Sequence, residues 1–351
     1  MKIAQVAPLY ESVPPKYYGG TERVVSYLTE ELVQQGHDVT LFASGDSETA
    51  ARLVAVTPRS LRLDQGCIDQ LAHHILLLEQ VARRANEFDV IHYHIDYLHF
   101  PLSRCRRHPH VTTLHGRLDL PDLVPLYEEF REMPVVSISN NQRQPLPDVN
   151  WQATVYHGLP TDLLRYHPKP GQYLAFIGRF SPEKGADQAI EIAKRAQLPL
   201  KLAAKVDRAD EEYFEREIKP LLDHPLLEYV GEIGENDKDD FLGDACALLF
   251  PIAWPEPFGL VMIEAMACGT PVIAYRHGSV AELMEDGRSG FIVNDVDGAV
   301  SAVRRAAEVR RADVRNVFER RFTATQMASD YLRVYERVIA QHQRRARAPA
   351  A

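Results

Sequence analysis

Short apolar runs alternate with amphipathic helical patterns almost from the first residue, and nothing else in this sequence limits the fold as strongly. "KIAQVAP" reads as a strand, "TERVVSYLTEELVQQG" as a helix closed by Gly36, and "DVTLFAS" as the next strand. "EQVARRANEF" then leads into "DVIHYH", and "VTTLHG" and "VVSISN" continue the series. Alternation of this kind predicts a parallel sheet with helices on both faces. The pattern breaks at "RYHPKPGQ", with two prolines and a glycine, and restarts with "YLAFIGRF", "GADQAIEIAKRAQ", "PLKLAAKV" and "EEYFEREIKPLL". It continues through "LEYVGEI", "ACALLFPI", "TPVIAYR" and "GFIVND". The expected organisation is therefore α/β with two similar domains, 1–167 and 168–322, facing each other across a cleft. A last segment, 323–351, carries a long amphipathic helix with Met327, Tyr331, Leu332, Val334, Tyr335 and Val338 on its apolar side. Ligands of open α/β sheets bind beyond the carboxyl ends of the strands, so such a cleft is the expected site.

A chain of 351 residues exceeds what one core usually covers, which agrees with two domains of roughly 150 residues. Its formal charge is -9, and the acidic excess is shared. Residues 1–165 hold 15 Lys/Arg against 20 Asp/Glu, which leaves 25 against 29 in the remainder. Neither domain is basic enough for general nucleic-acid binding, so an anionic ligand must be met by local groups. The four cysteines (Cys67, Cys105, Cys246, Cys268) include no CxxC pair and point to a reducing compartment rather than a disulfide framework or a zinc site. With no apolar stretch long enough for a signal peptide or a membrane span, the expected location is cytoplasmic. The basic cluster "RCRRHPH" (104–110) reads as a solvated loop, with weak peripheral contact at the inner membrane surface as the alternative.

Three segments can carry chemistry. In "PPKYYGGTERVV", Gly19 and Gly20 follow the first strand and a helix opens at Thr21 and Glu22. Helix-start N–H groups with glycines beside them make an anion seat; the simpler alternative is a plain turn with Thr21 as N-cap. In "FIGRFSPEKG", Arg179 and Lys184 lie just past a strand and ahead of a helix, where two cations can clamp a diphosphate. In "PEPFGLVMIEAMACGTPV", Pro255 and Pro257 hold Glu256 in an extended loop. Gly259 opens a helix and Gly269 caps its end. Glu264 lies one turn after Leu260, about 5 Å along the axis. Because an unpaired carboxylate in so apolar a helix is costly, Glu264 is expected to have a polar partner.

At "EPFGLVMIEAMACGTPVIA" the sequence resembles the retaining family 4 glycosyltransferases, nucleotide-sugar enzymes with the two-domain GT-B fold. "GGTE", "DVIHYH", "TLHG", "GRFSPEKG" and "GFIVNDVDG" extend the likeness, in order, over nearly the whole chain. The resemblance implies two Rossmann-like doubly wound domains, with the C-terminal helix packing back on the N-terminal one. It implies that Gly19 and Gly20 approach the donor diphosphate and that Arg179 and Lys184 neutralise it. Glu256 would bind hydroxyls of the transferred sugar, with Phe258, Gly259, Leu260 and Val261 around the donor at the helix mouth, and Glu264 would bind the ribose. His115 would sit beside the anomeric carbon; Tyr18, His94 and Asp96 would line the acceptor side. One departure is "YHGLP" (156–160), where the family commonly has an Asn-Gly turn: Gly158 keeps the turn, but His157 puts in doubt the contact carried by the usual side chain.

Two patterns mimic metal sites. His92, His94 and Asp96 in "HYHID" could be ligands, but the position at a strand end favours a wall of the cleft. "DVD" (295–297) copies the metal-binding DxD of other glycosyltransferases, but precedes a helix, so Asp297 reads as a cap. His108 and His110 read as surface loop. No metal or cofactor is expected. A nucleoside diphosphate leaves readily once its charge is neutralised, and no carboxylate stands out as the nucleophile of a covalent intermediate. The implied route is front-face transfer of a hexose with retention, in which the departing phosphate takes the acceptor's proton. A UDP-sugar is the favoured donor and GDP-mannose the next; the acceptor is not legible. The alternatives are a nucleotide-sugar epimerase of similar fold, whose additional acidic and histidine residues are not evident, and a non-catalytic nucleotide-sugar-binding protein, which would need neither His115 nor Glu256.

Overall fold

The computed structural model describes residues 1–17 and 19–347. The chain separates into two compact units, one made of residues 1–158 with the helix that begins at Ala324, the other of residues 159–323.

The first unit is built on β1 (Lys2–Val6), β2 (Asp38–Ser44), β3 (Arg52–Thr57), β4 (Val90–Tyr93), β5 (His110–Thr113), β6 (Val135–Ser137) and β7 (Trp151–Thr154). These form one parallel sheet in the order β3-β2-β1-β4-β5-β6-β7. Its helices are α1 (Gly20–Gln34), α2 (Gln70–Arg84), α3 (Phe100–Arg106) and α4 (Leu123–Glu129). Ile3, Ala4, Gln5 and Val6 are all buried, as expected of a central strand covered on both faces. On α1 the expected stripe of Val24, Leu28 and Leu32 is inside. β3 and β7, from "RLVAVT" and "WQAT", are additions to the strands expected from the sequence. They lie at the two edges of the sheet, where half-exposed positions blur the apolar run.

The second unit holds β8 (Tyr173–Arg179), β9 (Leu200–Lys205), β10 (Leu227–Gly231), β11 (Ala245–Phe250), β12 (Val272–Tyr275) and β13 (Gly290–Val293). They form a second parallel sheet, β10-β9-β8-β11-β12-β13. Its helices are α5 (Ala186–Ala196), α6 (Glu211–Tyr213), α7 (Glu235–Gly243), α8 (Leu260–Cys268), α9 (Val280–Leu283), α10 (Val296–Arg305) and α11 (Arg311–Arg321). The helix expected over "EEYFEREIKPLL" is instead the short α6, a π turn over Phe214–Ile218 and a 3-10 turn over Lys219–Leu221. Pro220 has no amide hydrogen to continue an α-helix.

The last helix, α12 (Ala324–Arg347), packs on α1 and β5 of the first unit, as the resemblance implies. Met327, Tyr331, Val334, Tyr335 and Val338 are buried. The units divide after Gly158 and after Thr323, not at the expected 167 and 322. Residues 159–167 belong to the second unit because their backbone bonds run there: Leu159 N–H to Phe322 O at 2.9 Å and His167 N–H to Cys268 O at 3.0 Å. Arg311 is the clasp of this region. Its buried guanidinium donates to the carbonyls of Gly243 (2.7 Å) and Ala245 (2.9 Å), to Thr270 Oγ1 (2.6 Å), and to the carbonyls of His167 and Cys268.

Candidate active site

In the second unit the strand order reverses between β8 and β11, and the loops that follow those two strands are joined by Ala253 N–H to Glu183 O at 2.9 Å. That is the switch point at which open α/β sheets bind ligands. Gly185 lets the loops approach, since a Cβ there would stand 2.1 Å from Pro251 O. The contact brings Lys184 to Glu256: its ammonium donates to Oε2, and the indole N–H of Trp254 donates to the same oxygen at 2.9 Å. The ammonium also lies 5.0 Å from the centre of the Trp254 ring, within cation–π range.

Arg179 ends β8 and is surrounded by acid, with Glu183 at 2.6 Å, Asp210 at 3.1 Å and Asp207 at 3.5 Å. Arg179 and Lys184 are thus already compensated by carboxylates.

Gly259 precedes α8 in a left-handed conformation (φ 82°) and Gly269 follows it in another (φ 80°), so both bounds of this helix follow the sequence reading. Phe258 is buried. Leu260 and Val261 begin α8, whose first N–H groups have no intrahelical acceptor by geometry. Glu264 is 3% exposed and accepts a hydrogen bond from Lys238 Nζ at 2.6 Å. The polar partner expected for Glu264 is this lysine of α7, which sequence reasoning missed. Its one signal is that "ENDKDDFLG" carries a single cation among acids.

Also missed is the turn "HGS" (277–279). Ser279 N–H donates to Glu256 O at 3.0 Å, Ser279 Oγ donates to Phe258 O at 2.7 Å, and Gly278 (φ +54°) lies against the Glu256 backbone.

In the first unit the glycine turn starts α1 one residue earlier than expected. Gly19 occupies the N-cap position and Gly20 is the first helical residue, so Thr21 lies inside the first turn. Tyr18 lies outside the described residues. The other candidates of this unit meet at the carboxyl ends of β4 and β5. His94 Nδ1 is 2.9 Å from His115 Nε2, and Asp96 accepts from the His115 backbone N–H. Asp96 takes a left-handed φ of 50°, uncommon for a non-glycine residue and a strain that clusters at functional sites. His157, in place of the usual asparagine, stacks on His115 with ring centres 5.3 Å apart.

Burial dominates the ionisation of this group. It lowers His115 to about 3 and holds His92, His94 and His157 well below the ordinary imidazole value, neighbouring histidines adding to the effect. It raises Asp96 to about 6, and raises Glu22, in the first turn of α1, to about 7. The Tyr10 phenol is raised by burial first and then by Asp96 and Glu22, which places Tyr10 and Glu22 in the same polar neighbourhood. Tyr10 was not singled out from sequence, and Glu22 only as a residue that opens α1.

Three expectations are corrected. His92 and His94, expected to form a wall of the cleft, are instead buried on one face with rings 3.9 Å apart, and their nitrogens are engaged by Tyr335, Thr113, Gln5 and His115. Asp297 is not the cap of α10: Asp295 accepts from Gly298 N–H at 2.8 Å, and Asp297 pairs with Arg195. His108 and His110 are half-buried rather than surface loop, because β5 begins at His110 and His108 Nε2 lies 3.1 Å from Phe88 O. Among the described residues the one group with metal-ligand spacing is His167, Asp239 and Asp240. Both of its carboxylates are engaged by Arg165.

Comparison with known families covers both units in succession. The model described as "Glycosyltransferase Family 4" matches residues 18–177, and "Glycosyl transferases group 1" matches residues 166–318. The chain belongs to the family 4 glycosyltransferases. This glycosyltransferase is 25% identical over 380 residues to a phosphatidyl-myo-inositol mannosyltransferase of Mycobacterium leprae, across 96% of this chain and 97% of that one. Its fold is that of the sucrose-phosphate synthase of Thermosynechococcus elongatus, with a TM-score of 0.78, 20% identity, and 97% and 100% of the two chains covered. It is also that of Anabaena HepE in complex with UDP-glucose, with a TM-score of 0.73, 17% identity, and 96% and 100% covered. These likenesses agree with the two parallel sheets of the GT-B architecture. No helix among the described residues of this glycosyltransferase is long and apolar enough to cross a membrane.

Proposed function

We propose that this glycosyltransferase moves a hexose from a nucleoside-diphosphate sugar to an acceptor hydroxyl, with retention at the anomeric carbon and without a metal. The observation that carries the reading is the pair of lysine-held carboxylates on either side of the α8 start. Glu256 stands before it with Lys184, and Glu264 stands one turn inside with Lys238. A diphosphate at the first N–H groups of α8 would be stabilised by the helix dipole. Glu256 would then accept hydrogen bonds from sugar hydroxyls and Glu264 from the ribose. Lys184 and Arg179, released from Glu256 and from Glu183, Asp207 and Asp210, would take the phosphate charge that a metal supplies elsewhere.

The leaving phosphate would deprotonate the acceptor on the face it departs from. His115 and the Gly19–Gly20 turn would act on the sugar and the diphosphate, and Asp96 on the acceptor; His94, expected on the acceptor side, is buried with both ring nitrogens engaged and would act only through His115. A UDP-sugar is the favoured donor, supported by the UDP-glucose complex of the fold relative; GDP-mannose is the next, supported by the mannosyltransferase relative. The free thiols of Cys67, Cys105, Cys246 and Cys268 suit a cytoplasmic setting.

A thermal-shift screen with UDP-glucose, UDP-galactose, UDP-N-acetylglucosamine and GDP-mannose tests the donor. A ligand present at 100 times its dissociation constant stabilises by about 2.7 kcal/mol. Glu264→Ala should weaken that binding, whereas Glu256→Ala should chiefly lower turnover, and the anomeric configuration of the product reads retention directly. No stabilisation by any of the four donors, or full turnover in both variants, overturns the assignment.

A further inference from the structure

Seven side chains of the first unit form one hydrogen-bonded series that ends at His115. Tyr331 OH lies 2.8 Å from Thr113 Oγ1, and Thr113 Oγ1 lies 2.7 Å from His92 Nε2. His92 Nδ1 lies 2.8 Å from Tyr335 OH, which accepts from Gln5 Nε2 at 3.1 Å. Gln5 Oε1 lies 2.8 Å from His94 Nε2, and His94 Nδ1 lies 2.9 Å from His115 Nε2. Gln5, His92, His94, Thr113, Tyr331 and Tyr335 are all 2% exposed or less. The far end of the series, His115 Nδ1, is buried and has no hydrogen-bond partner among the described residues.

Protons in such a series are not independent. A neutral imidazole has one N–H and one bare nitrogen, and a phenol has one hydrogen to donate. Tyr335 accepts from the Gln5 amide, so its hydrogen goes to His92 Nδ1, and His92 must then carry its proton on Nε2 and donate to Thr113. On the other side Gln5 Oε1 can only accept, so His94 carries its proton on Nε2. His94 Nδ1 is therefore bare and accepts from His115 Nε2–H, which leaves His115 Nδ1 as a lone pair. Turning the Gln5 amide over would reverse every bond and put the His115 proton on Nδ1. The orientation present gives the phenol, the most acidic O–H of the series, to an imidazole nitrogen, its strongest acceptor.

We infer that Tyr335, on the C-terminal helix, is a positioning residue that acts through Gln5 and His94 to hold His115 as the Nε2–H tautomer, with Nδ1 presented as a hydrogen-bond acceptor. The ligand group this suits is a hydroxyl, which can donate to Nδ1; a carbonyl or a phosphate oxygen cannot. For its effect on transfer the inference rests on the proposed role of His115 at the sugar, but the tautomer itself is measured without turnover.

The experiment is a long-range proton–nitrogen correlation spectrum of the full chain labelled with 15N-histidine, at neutral pH. His92, His94 and His115 should each show a protonated Nε2 and a bare Nδ1. A protonated Nδ1 on His115 in the unmodified protein overturns the inference, whatever the variants do. Tyr335→Phe takes away the phenol that orients Gln5 and should mix the two tautomers at His115. With the donor identified by the thermal-shift screen, it should lower kcat by about 100-fold, the low end for a positioned proton-bearing group, with little change in donor KM. Gln5→Leu should give the same spectrum and the same kinetic split from the other side of the relay. Folded variants with the unmodified tautomers overturn the inference. Mixed tautomers with unchanged kcat would leave the relay standing and refute the placement of His115 at the sugar.

Discussion

A single methyl group at Gly278 tests how closely the loop that carries Glu256 is held. A Cβ built there stands 2.3 Å from Glu256 N, 2.4 Å from Glu256 O and 2.7 Å from Pro255 C, whereas ordinary contact begins at 3.4 Å. Both sides are backbone, so neither can swing away as a flexible side chain could. The separation has to grow by about 1 Å, the difference between 2.3 and 3.4 Å, and the loop carrying Glu256 is the part that can give. Overpacking costs on the order of 1–3 kcal/mol, and the left-handed backbone adds roughly 1–2 for a residue with a Cβ.

Gly278→Ala should therefore lower stability by about 3 kcal/mol. A shift of that size at a substrate-positioning group costs on the order of 100-fold in rate. Gly287 separates the two contributions. It has a similar φ of +76° but nothing within 4 Å of its Cβ position, so Gly287→Ala should cost about 1 kcal/mol and leave turnover alone. Urea unfolding and initial transfer rates of both variants are the assay. If Gly278→Ala transfers sugar at the rate of Gly287→Ala, the Glu256 loop is not positioned by this turn and the argument fails.

Lys238→Met should destabilise the second unit by about 3–5 kcal/mol, because it strands the buried Glu264 carboxylate. Lys238→Met with Glu264→Gln should recover most of that loss in the same denaturant titration, and a single variant as stable as the unmodified protein would refute the pairing. Arg311→Met leaves the carbonyls of Gly243 and Ala245 without their donor, and at roughly 1–3 kcal/mol for each stranded group it should lower the urea midpoint severely, whereas an unchanged midpoint would count against the clasp.

Acid should unfold the first unit steeply. Its buried His92, His94, His99, His115 and His157 all have lowered folded pKa values, so their contribution is present above 6.5 and is lost as pH falls. Glu22 and Asp96 are raised by burial and work in the opposite sense, favouring the folded state as pH falls. At about 1.4 kcal/mol per proton per pH unit, these five histidines against the two carboxyls give a loss of about 4 kcal/mol per unit, and His110 and His74, also lowered by burial, add to it. A melting temperature unchanged between pH 7 and pH 5 would contradict that sum. Glu22→Gln should raise stability near pH 8 by roughly 3 kcal/mol and change little near pH 4; equal effects at the two pH values would show that its carboxyl is not held neutral by burial.

The sheet cores were readable in advance because β1, β2, β8 and β11 are continuous apolar runs, and the bounds of α8 because Gly259 and Gly269 are written into the sequence beside it. Pairings between distant segments were not readable. Glu256 is 72 residues from Lys184, and no local pattern announces which acid will neutralise which base. Lys238 reaches Glu264 because α7 packs on α8. His92 and His94 showed their shared face through the two-residue period of a strand. Their partners Tyr331 and Tyr335 showed only as an apolar stripe more than 230 residues away, since a buried phenol has the same periodicity as a leucine. His157 departed from the family pattern in a way the sequence displayed plainly, but its stacking on His115 follows from a turn geometry that residue types alone do not fix.

The return of α12 to the first unit also sets an order of assembly. Residues 159–323 form the second unit from one continuous stretch and can fold as soon as that stretch has left the ribosome. The first unit is synthesised earlier and completed later, because Tyr331 and Tyr335 come off the ribosome after the second unit has been made. Until they arrive, the faces of β4 and β5 that carry His92 and Thr113 lack their cover, and a nascent or truncated chain would expose that apolar and imidazole-rich surface to chaperones and proteases. Only a chain synthesised through α12 can set the His115 proton, so under the proposed role of His115 transfer would wait on the synthesis of that helix.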